Sequence, residues 1–266
     1  MKVGYLGPKG TFSYEICNEV YGEENEKIPF RTIKDIINNL ESNLIGEGIV
    51  PIENSLQGCV TETIDTLIQS KNIYICGEKV LRISQNLMAK EKYKFSEIKE
   101  IYSHPQALAQ CREYLQKNFK EAEIIEISST ALAAKEVSQK ENVACICNIG
   151  CKDEYDLEVL DENIQDNNFN ETKFWQLRNC DKNIIEANKM TLIFFTENKP
   201  GSLYKALSIF EKYNLNLTKI ESRPTKKQLG QYYFWIDVEL NENSDVALKE
   251  LKDVVVDFKI LGRYLK

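Results

Sequence analysis

The apolar positions of this chain alternate between two periods, and the switches between them divide it into strands and helices. Val3–Leu6 is a short apolar run that predicts a strand, and the Gly7-Pro8-Lys9-Gly10 turn leads to a helix over Thr11–Tyr21. Ile33, Ile36, Ile37 and Leu40 give Thr32–Asn43 helical spacing, Glu47–Ile52 is strand-like, and Cys59–Ser70 has one apolar helical face. A second unit follows. Strands are predicted at Lys79–Ala89, Glu100–Ser103 and Glu123–Ile127, helices at Pro105–Phe119 and Thr130–Gln139, and a buried strand at Asn142–Cys147. Asp156–Ile164 predicts a strand that runs into a polar loop and the segment Asn170-Glu171-Thr172-Lys173-Phe174. This alternation predicts a mainly parallel α/β architecture in two lobes.

Asn179–Lys189 is polar and charged and reads as a linker, and beyond it the order changes. Strands at Met190–Thr196, Leu215–Ser222, Gln231–Leu240 and Phe258–Leu261, with helices at Ser202–Tyr213 and Asp245–Val254, give βαββαβ. That is the ferredoxin-like order, and about 75 residues are enough for a core of their own. The expected division is residues 1–180 for the two lobes and 189–266 for the module.

Composition narrows the function. A length of 266 residues with 42% hydrophobic content suits these cores, and a net charge of −7 argues against a nucleic-acid partner. The nearest approach to a basic patch, Lys226-Lys227, reads as a solvated turn. No apolar run has the length of a membrane span or a signal core, so a soluble, cytoplasmic chain with no membrane partner is expected. The eight cysteines therefore read as reduced thiols. Cys145, Cys147 and Cys151 lack the fourth ligand and second paired motif of a zinc site, and Cys145 and Cys147 follow a buried-strand pattern. No metal site is expected.

In open α/β sheets, ligands bind beyond the carboxyl ends of the strands. Glu53, Ser103, Ser129 and Thr172 all follow predicted strands, so one cleft could gather them. Gly10-Thr11-Phe12-Ser13 and Ser129-Thr130-Ala131 each open a helix, whose free N–H groups favour a carboxylate, although each also reads as a simple N-cap. Two such starts in opposing lobes would suit a substrate with two carboxylates. Glu53 follows Val50-Pro51-Ile52, and partial burial there would raise its pKa and let it carry a proton near neutrality. A capping or ion-paired structural acid is the other reading. The sole histidine, His104, precedes Pro105 and reads as structural, with Ser103 and Gln110 better placed to face the cleft. Thr172 beside Lys173 sets a hydroxyl next to a cation.

In order, these segments resemble prephenate dehydratase. The matching pieces are Gly7-Pro8-x-Gly10-Thr11-Phe12-Ser13, Val50-Pro51-Ile52-Glu53-Asn54-Ser55, Ser103-His104-Pro105-Gln106, Ser129-Thr130-Ala131-x-Ala133-Ala134 and Asn170-x-Thr172-Lys173-Phe174. The C-terminal module resembles the phenylalanine-sensing ACT domain through Pro200-Gly201-Ser202-Leu203-Tyr204 and Ile220-Glu221-Ser222-Arg223-Pro224. The resemblance implies a two-lobed, periplasmic-binding-protein-like catalytic domain with a cleft between the lobes. It implies cofactor-free conversion of prephenate to phenylpyruvate, water and CO₂ in phenylalanine biosynthesis. It also implies feedback by phenylalanine bound between paired ACT modules of a homodimer or homotetramer. By that resemblance Thr172 is the essential hydroxyl, and Glu53, Asn54, Ser103 and Gln110 line the cleft. Lys173, Phe174, Thr11, Ser129, Thr130 and Ala131 meet the substrate. Gly201, Ser202, Leu203, Tyr204, Asn216, Leu217, Thr218, Glu221, Ser222, Arg223 and Pro224 meet the effector. Lys173 stands where the family usually has arginine, and Gln85 where it commonly has histidine. Preference for arogenate, and a phenylalanine sensor with impaired catalysis, remain open readings at this stage.

Overall fold

The computed structural model describes residues 1–180, 186–225 and 232–266, so the Lys226-Lys227 turn and the middle of the Asn179–Lys189 linker lie outside the described residues. β1 (Lys2–Leu6) leads into α1 (Phe12–Tyr21), whose first turn is capped by the Thr11 hydroxyl accepting from the Tyr14 N–H. β2 (Glu26–Phe30) escapes the sequence pattern because it is a half-exposed outer strand carrying Pro29. α2 (Ile33–Glu41), β3 (Glu47–Asn54), the short β4 (Gly58–Cys59), α3 (Thr61–Gln69) and β5 (Tyr74–Arg82) follow. β1 pairs in parallel with both β2 and β3.

The strand expected at Lys79–Ala89 is divided. β5 ends in the first sheet at Arg82, and β6 (Asn86–Ala89) opens a second sheet, so residues 83–85 cross between lobes. The second lobe continues through β7 (Glu100–Ser103), α4 (Pro105–Gln110), α5 (Arg112–Asn118), β8 (Glu123–Glu126), α6 (Thr130–Val137), β9 (Val143–Cys147), α7 (Cys151–Tyr155) and β10 (Glu158–Asp161). The helix expected over Pro105–Phe119 breaks at buried Cys111, whose φ of −117° lies outside the helical range. Cys145 and Cys147 are fully buried on β9, as small hydrophobes would be.

The chain then returns. β11 (Glu171–Arg178) inserts antiparallel between β3 and β5 of the first sheet. The expected parallel sheets are therefore mixed: β11 re-enters the first sheet from the far lobe, and β6 runs antiparallel to both β9 and β10. Thr172 accordingly lies within a strand rather than just after one. Two chain crossings join the lobes across a cleft, the periplasmic-binding-protein-like arrangement.

β12 (Lys189–Phe195), α8 (Ser202–Lys212), β13 (Leu217–Pro224), β14 (Tyr232–Glu239), α9 (Ser244–Val254) and β15 (Asp257–Tyr264) form the C-terminal βαββαβ module, with sheet order β13-β14-β12-β15. One sheet face buries Met190, Leu192, Phe194, Ile236 and Val238 among Ala206, Phe210 and Leu251 of its helices. The other face is not free. Ile193, Tyr233, Trp235, Leu261 and Tyr264 join Ile75, Trp175 and Leu177 of the first lobe in one apolar cluster. Trp175 and Trp235 meet edge to face, 5.4 Å between ring centroids. Gly262 packs so closely on the Ile75 backbone that a Cβ there would overlap its carbonyl oxygen. Lys189, read as the last linker residue, is buried between Glu78 at 2.7 Å and Asp237 at 3.1 Å, where unpaired charge would be costly.

Because Trp235 belongs to the core shared by lobe and module, Trp235→Ala is expected to cost about 3–5 kcal/mol. Urea denaturation followed by Trp175 fluorescence and by circular dichroism should show one shifted transition in both signals.

Candidate active site

The cleft between the lobes has a volume of about 300 Å³. Three helix starts open onto it: Thr11, Phe12 and Ser13 of α1, His104 and Gln106 of α4, and Ser129 and Thr130 of α6. Asn54, Gln85, Gln110, Thr172 and Phe174 also line it. Among the described residues lining the cleft none is Asp, Glu, Lys or Arg. An anion there would be held by backbone N–H groups at helix ends, the positive end of each dipole, and by neutral donors.

Strand alternation selects which residues reach this space. On β3 and β11, Asn54 stands opposite Thr172, and Glu53 opposite Lys173. The first pair faces the cleft and the second faces away. Asn54 Oδ1 accepts the backbone N–H groups of Leu56 and Gln57, both at 3.1 Å, and this fixes the orientation of its amide. Its Nδ2 therefore points to Thr172 Oγ1 at 2.9 Å, Asn170 Oδ1 at 2.8 Å and the Glu171 carbonyl at 3.1 Å. Since Thr172 Oγ1 accepts from Asn54, its own proton remains for a partner in the cleft.

Gln110 and His104 are oriented by similar logic. Gln85 Nε2 donates to Gln110 Oε1 at 3.1 Å, which leaves the Gln110 amide N–H groups for a ligand. Gln85, noted in the sequence as a departure from the family pattern, thus acts by holding Gln110. Its own buried Oε1 has no partner among the described residues. His104 Nδ1 accepts the Gln106 N–H at 3.2 Å, so the neutral ring carries its proton on Nε2. The residue read as structural does cap α4, and it lines the cleft as well.

Four of the residues expected at the substrate do not line the cleft. Glu53 is turned toward the C-terminal module, with Oε1 2.7 Å from Lys219 Nζ and Oε2 3.5 Å from Lys173 Nζ. Burial pushes its carboxyl up, but the bond and charge of Lys219, reinforced by Lys173, outweigh burial and hold it below its ordinary value. It is not a proton carrier at neutrality. Lys173 shares that face and does not line the cleft, so replacing the family arginine leaves the cleft wall unaltered. Ser103 is fully buried and donates to the Ile146 carbonyl at 2.6 Å inside the second sheet. Ala131 is fully buried in that lobe's core, one residue past the wall formed by Thr130.

The hydroxyls of Thr11 and Ser129 both cap their helices, but only that of Thr11 has its proton engaged. Thr11 Oγ1 donates to the Pro8 carbonyl at 2.9 Å, and Ser129 Oγ accepts from the Leu132 N–H at 3.1 Å. Thr11 thus offers the cleft helix-terminal backbone, and Ser129 offers that backbone together with its hydroxyl proton. Ser13, Gln106 and Ser128 were not singled out in the sequence although they line the cleft. Gln106 and Ser13 lay inside matched motifs, so only their direction was missing.

In the module, Gly201 takes φ +81° at the start of α8, followed by half-buried Ser202 and Leu203 and exposed Tyr204. Asn216 Nδ2 donates to Glu239 at 2.8 Å, and Leu217 and Thr218 open β13. Alternation divides the Glu221–Pro224 signature. Ser222 and Pro224 are exposed, whereas Glu221 accepts the Cys59 thiol at 2.6 Å and Arg223 lies 3.5 Å from Asp65 of α3. Glu221 and Arg223, expected to meet an effector, face the first lobe instead.

Two lobes around an uncharged anion cleft, with a βαββαβ module packed on the first lobe, define the class: a two-lobed binding-protein-like domain carrying a regulatory-type module. The chain belongs to the prephenate dehydratase family: residues 3–182 match the prephenate dehydratase family model and residues 190–256 the ACT domain model. It is 40% identical to prephenate dehydratase of Lactococcus lactis subsp. cremoris over 99% of this chain and 97% of that one. It is 37% identical to the bifunctional chorismate mutase/prephenate dehydratase of Aquifex aeolicus, over 100% of this chain and 74% of the relative. The crystal structure of prephenate dehydratase from Arthrobacter aurescens in complex with L-Phe superposes with a TM-score of 0.91 at 30% identity, covering 100% of this chain and 90% of that one.

The placement of Ser103 carries its own check. Ser103→Ala should cost about 1–3 kcal/mol by leaving the Ile146 carbonyl short of a donor, while kcat stays within about twofold. Thermal denaturation and steady-state kinetics on the same sample measure both.

Proposed function

We propose that this chain is a prephenate dehydratase inhibited by phenylalanine, with residues 1–180 carrying turnover and residues 189–266 the regulation. The observation that carries the reading is the Asn54–Thr172 pair, which leaves one hydroxyl proton directed at a cleft walled by helix N-termini. Prephenate is a dianion with a ring hydroxyl. As its ring carboxylate leaves as CO₂, the electron pair of the breaking C–C bond enters the ring and the C–O bond breaks. The departing hydroxide takes up a proton and leaves as water, and the ring becomes aromatic. Thr172 donates a hydrogen bond to that leaving oxygen. Gln110 and His104 Nε2–H supply further neutral donors, and the starts of α1 and α6 hold the carboxylates.

The absence of any carboxylate among the described residues lining the cleft favours prephenate over arogenate. The amine of arogenate would be an ammonium in this cleft, and it would have no anionic partner there.

For regulation, the sheet edge of the module supports pairing of two chains. β13 is the outer strand of its sheet, and exposed Ile220 and Tyr232 lie on the sheet face turned away from the first lobe. A homodimer or homotetramer joined there would place Gly201 and the exposed Ser222 near a shared effector site.

Purified protein given prephenate should release phenylpyruvate, seen in the ultraviolet, at a rate that phenylalanine lowers. No turnover at high enzyme concentration would sink the proposal. Thr172→Ala is expected to lower kcat by about 10²-fold, the usual cost of one positioned donor. A valine at Gly201 would be forced into the left-handed φ region, so Gly201→Val should raise the half-inhibiting phenylalanine concentration by about tenfold or more.

A further inference from the structure

The ammonium of Lys219 lies where the module meets the back of the catalytic strands. It is 2.7 Å from Glu53 Oε1, 3.1 Å from Cys59 Sγ and 3.7 Å from Glu221, and it sits 4.5 Å above the ring of Trp235. Glu53 immediately precedes Asn54, and its strand partner Lys173 immediately follows Thr172. One cation of the module thus reaches Asn54 through Glu53 and, one step further, Thr172 through Glu53 and Lys173.

We infer that Lys219 is a positioning residue that couples the effector state of the module to the Asn54–Thr172 pair through Glu53. The inference rests on the reading of the chain as a phenylalanine-inhibited dehydratase. Glu53 and Asn54 leave the same strand on opposite faces, so a pull on the Glu53 carboxylate rotates β3 locally and changes how Asn54 meets Thr172. A hydrogen bond of this kind tolerates little rotation before it weakens. Lys219 sits on β13 between exposed Thr218 and Ile220, so any ligand or partner that shifts the outer side of that strand shifts the ammonium on its inner side.

The surrounding contacts make β3 the element that responds. The module also grips α3: Arg223 and the Tyr233 hydroxyl both meet Asp65, and Lys259 Nζ donates to the last carbonyls of α3 at Leu67, Ile68 and Ser70. α3 is tied in turn to β3 by the Thr63 hydroxyl donating to the Pro51 carbonyl at 2.6 Å. With α3 anchored to the module at both positions, Glu53–Lys219 is the ion pair that joins the module directly to β3 beside Asn54.

The test uses the full chain with Lys219→Met and Lys219→Arg. Calorimetry measures phenylalanine binding, kinetics measures inhibition, and amide hydrogen exchange follows peptides covering 47–56 and 170–178. In the unaltered chain phenylalanine should alter exchange in both peptides. Lys219→Met should bind phenylalanine within about threefold of the unaltered chain, yet inhibition at saturation should fall from about tenfold or more to under about twofold. The exchange response of both peptides should vanish with it, and Lys219→Arg should restore both. Normal inhibition of Lys219→Met overturns the inference. So does loss of its phenylalanine binding, which would make Lys219 part of the effector site. An unaltered chain that binds phenylalanine with no exchange response in either peptide overturns it as well. If the unaltered chain fails to turn over prephenate, the proposed function falls, while the exchange experiment still decides the coupling.

Discussion

β11 is hydrogen-bonded along both edges and covered on both faces, and the rest of the molecule is arranged around that constraint. It closes the first sheet between β3 and β5 and brings the chain back from the second lobe. One face turns Thr172 and Phe174 to the cleft, while the other carries Lys173 beside Glu53 and Trp175 against Trp235 of the module. A strand with two buried faces has no freedom of register, because a slip of one residue would exchange the hydroxyl with the cation.

That arrangement explains how a cleft with no formally charged side chain among its described lining residues can serve a dianion. A charged side chain in a narrow, partly buried space needs a partner or loses its charge. Helix N-termini avoid the difficulty, since their N–H groups are unsatisfied by construction and their partial charge cannot titrate. The ionic groups gather on the opposite face, where Glu53, Lys173, Lys219 and Glu221 neutralise one another between lobe and module. The module is therefore joined to the back of the catalytic strands by apolar packing and by charge, against β3 through Glu53 and against β11 through Trp175.

Much of the fold was legible in the pattern of apolar positions. The βαββαβ order of the module, the helix starts at Thr11 and Ser129, and the buried Cys145 and Cys147 all follow from local periodicity and capping chemistry, which tertiary contacts did not override. β2 was missed because an outer strand needs little hydrophobicity. The division between β5 and β6 was missed because residues 74–89 stay largely strand-like while the chain changes sheets. Asn54, Gln110 and Thr172 were identified from motifs and do line the cleft. Glu53, Lys173, Ser103 and Ala131 came from the same motifs and do not.

The difference between those two groups separates what the sequence determined from what the tertiary structure decided. Residue types, their order and the helix caps are local properties, so the sequence alone specified the elements, the family resemblance and the presence of a hydroxyl and an amide suited to the chemistry. Direction is not local. Neighbouring residues on a strand point to opposite faces, and which face becomes the cleft depends on where β11 inserts and what packs behind it. Only the assembled sheet, with the module against its back, put Asn54 and Thr172 in front and left Glu53 and Lys173 to hold the join.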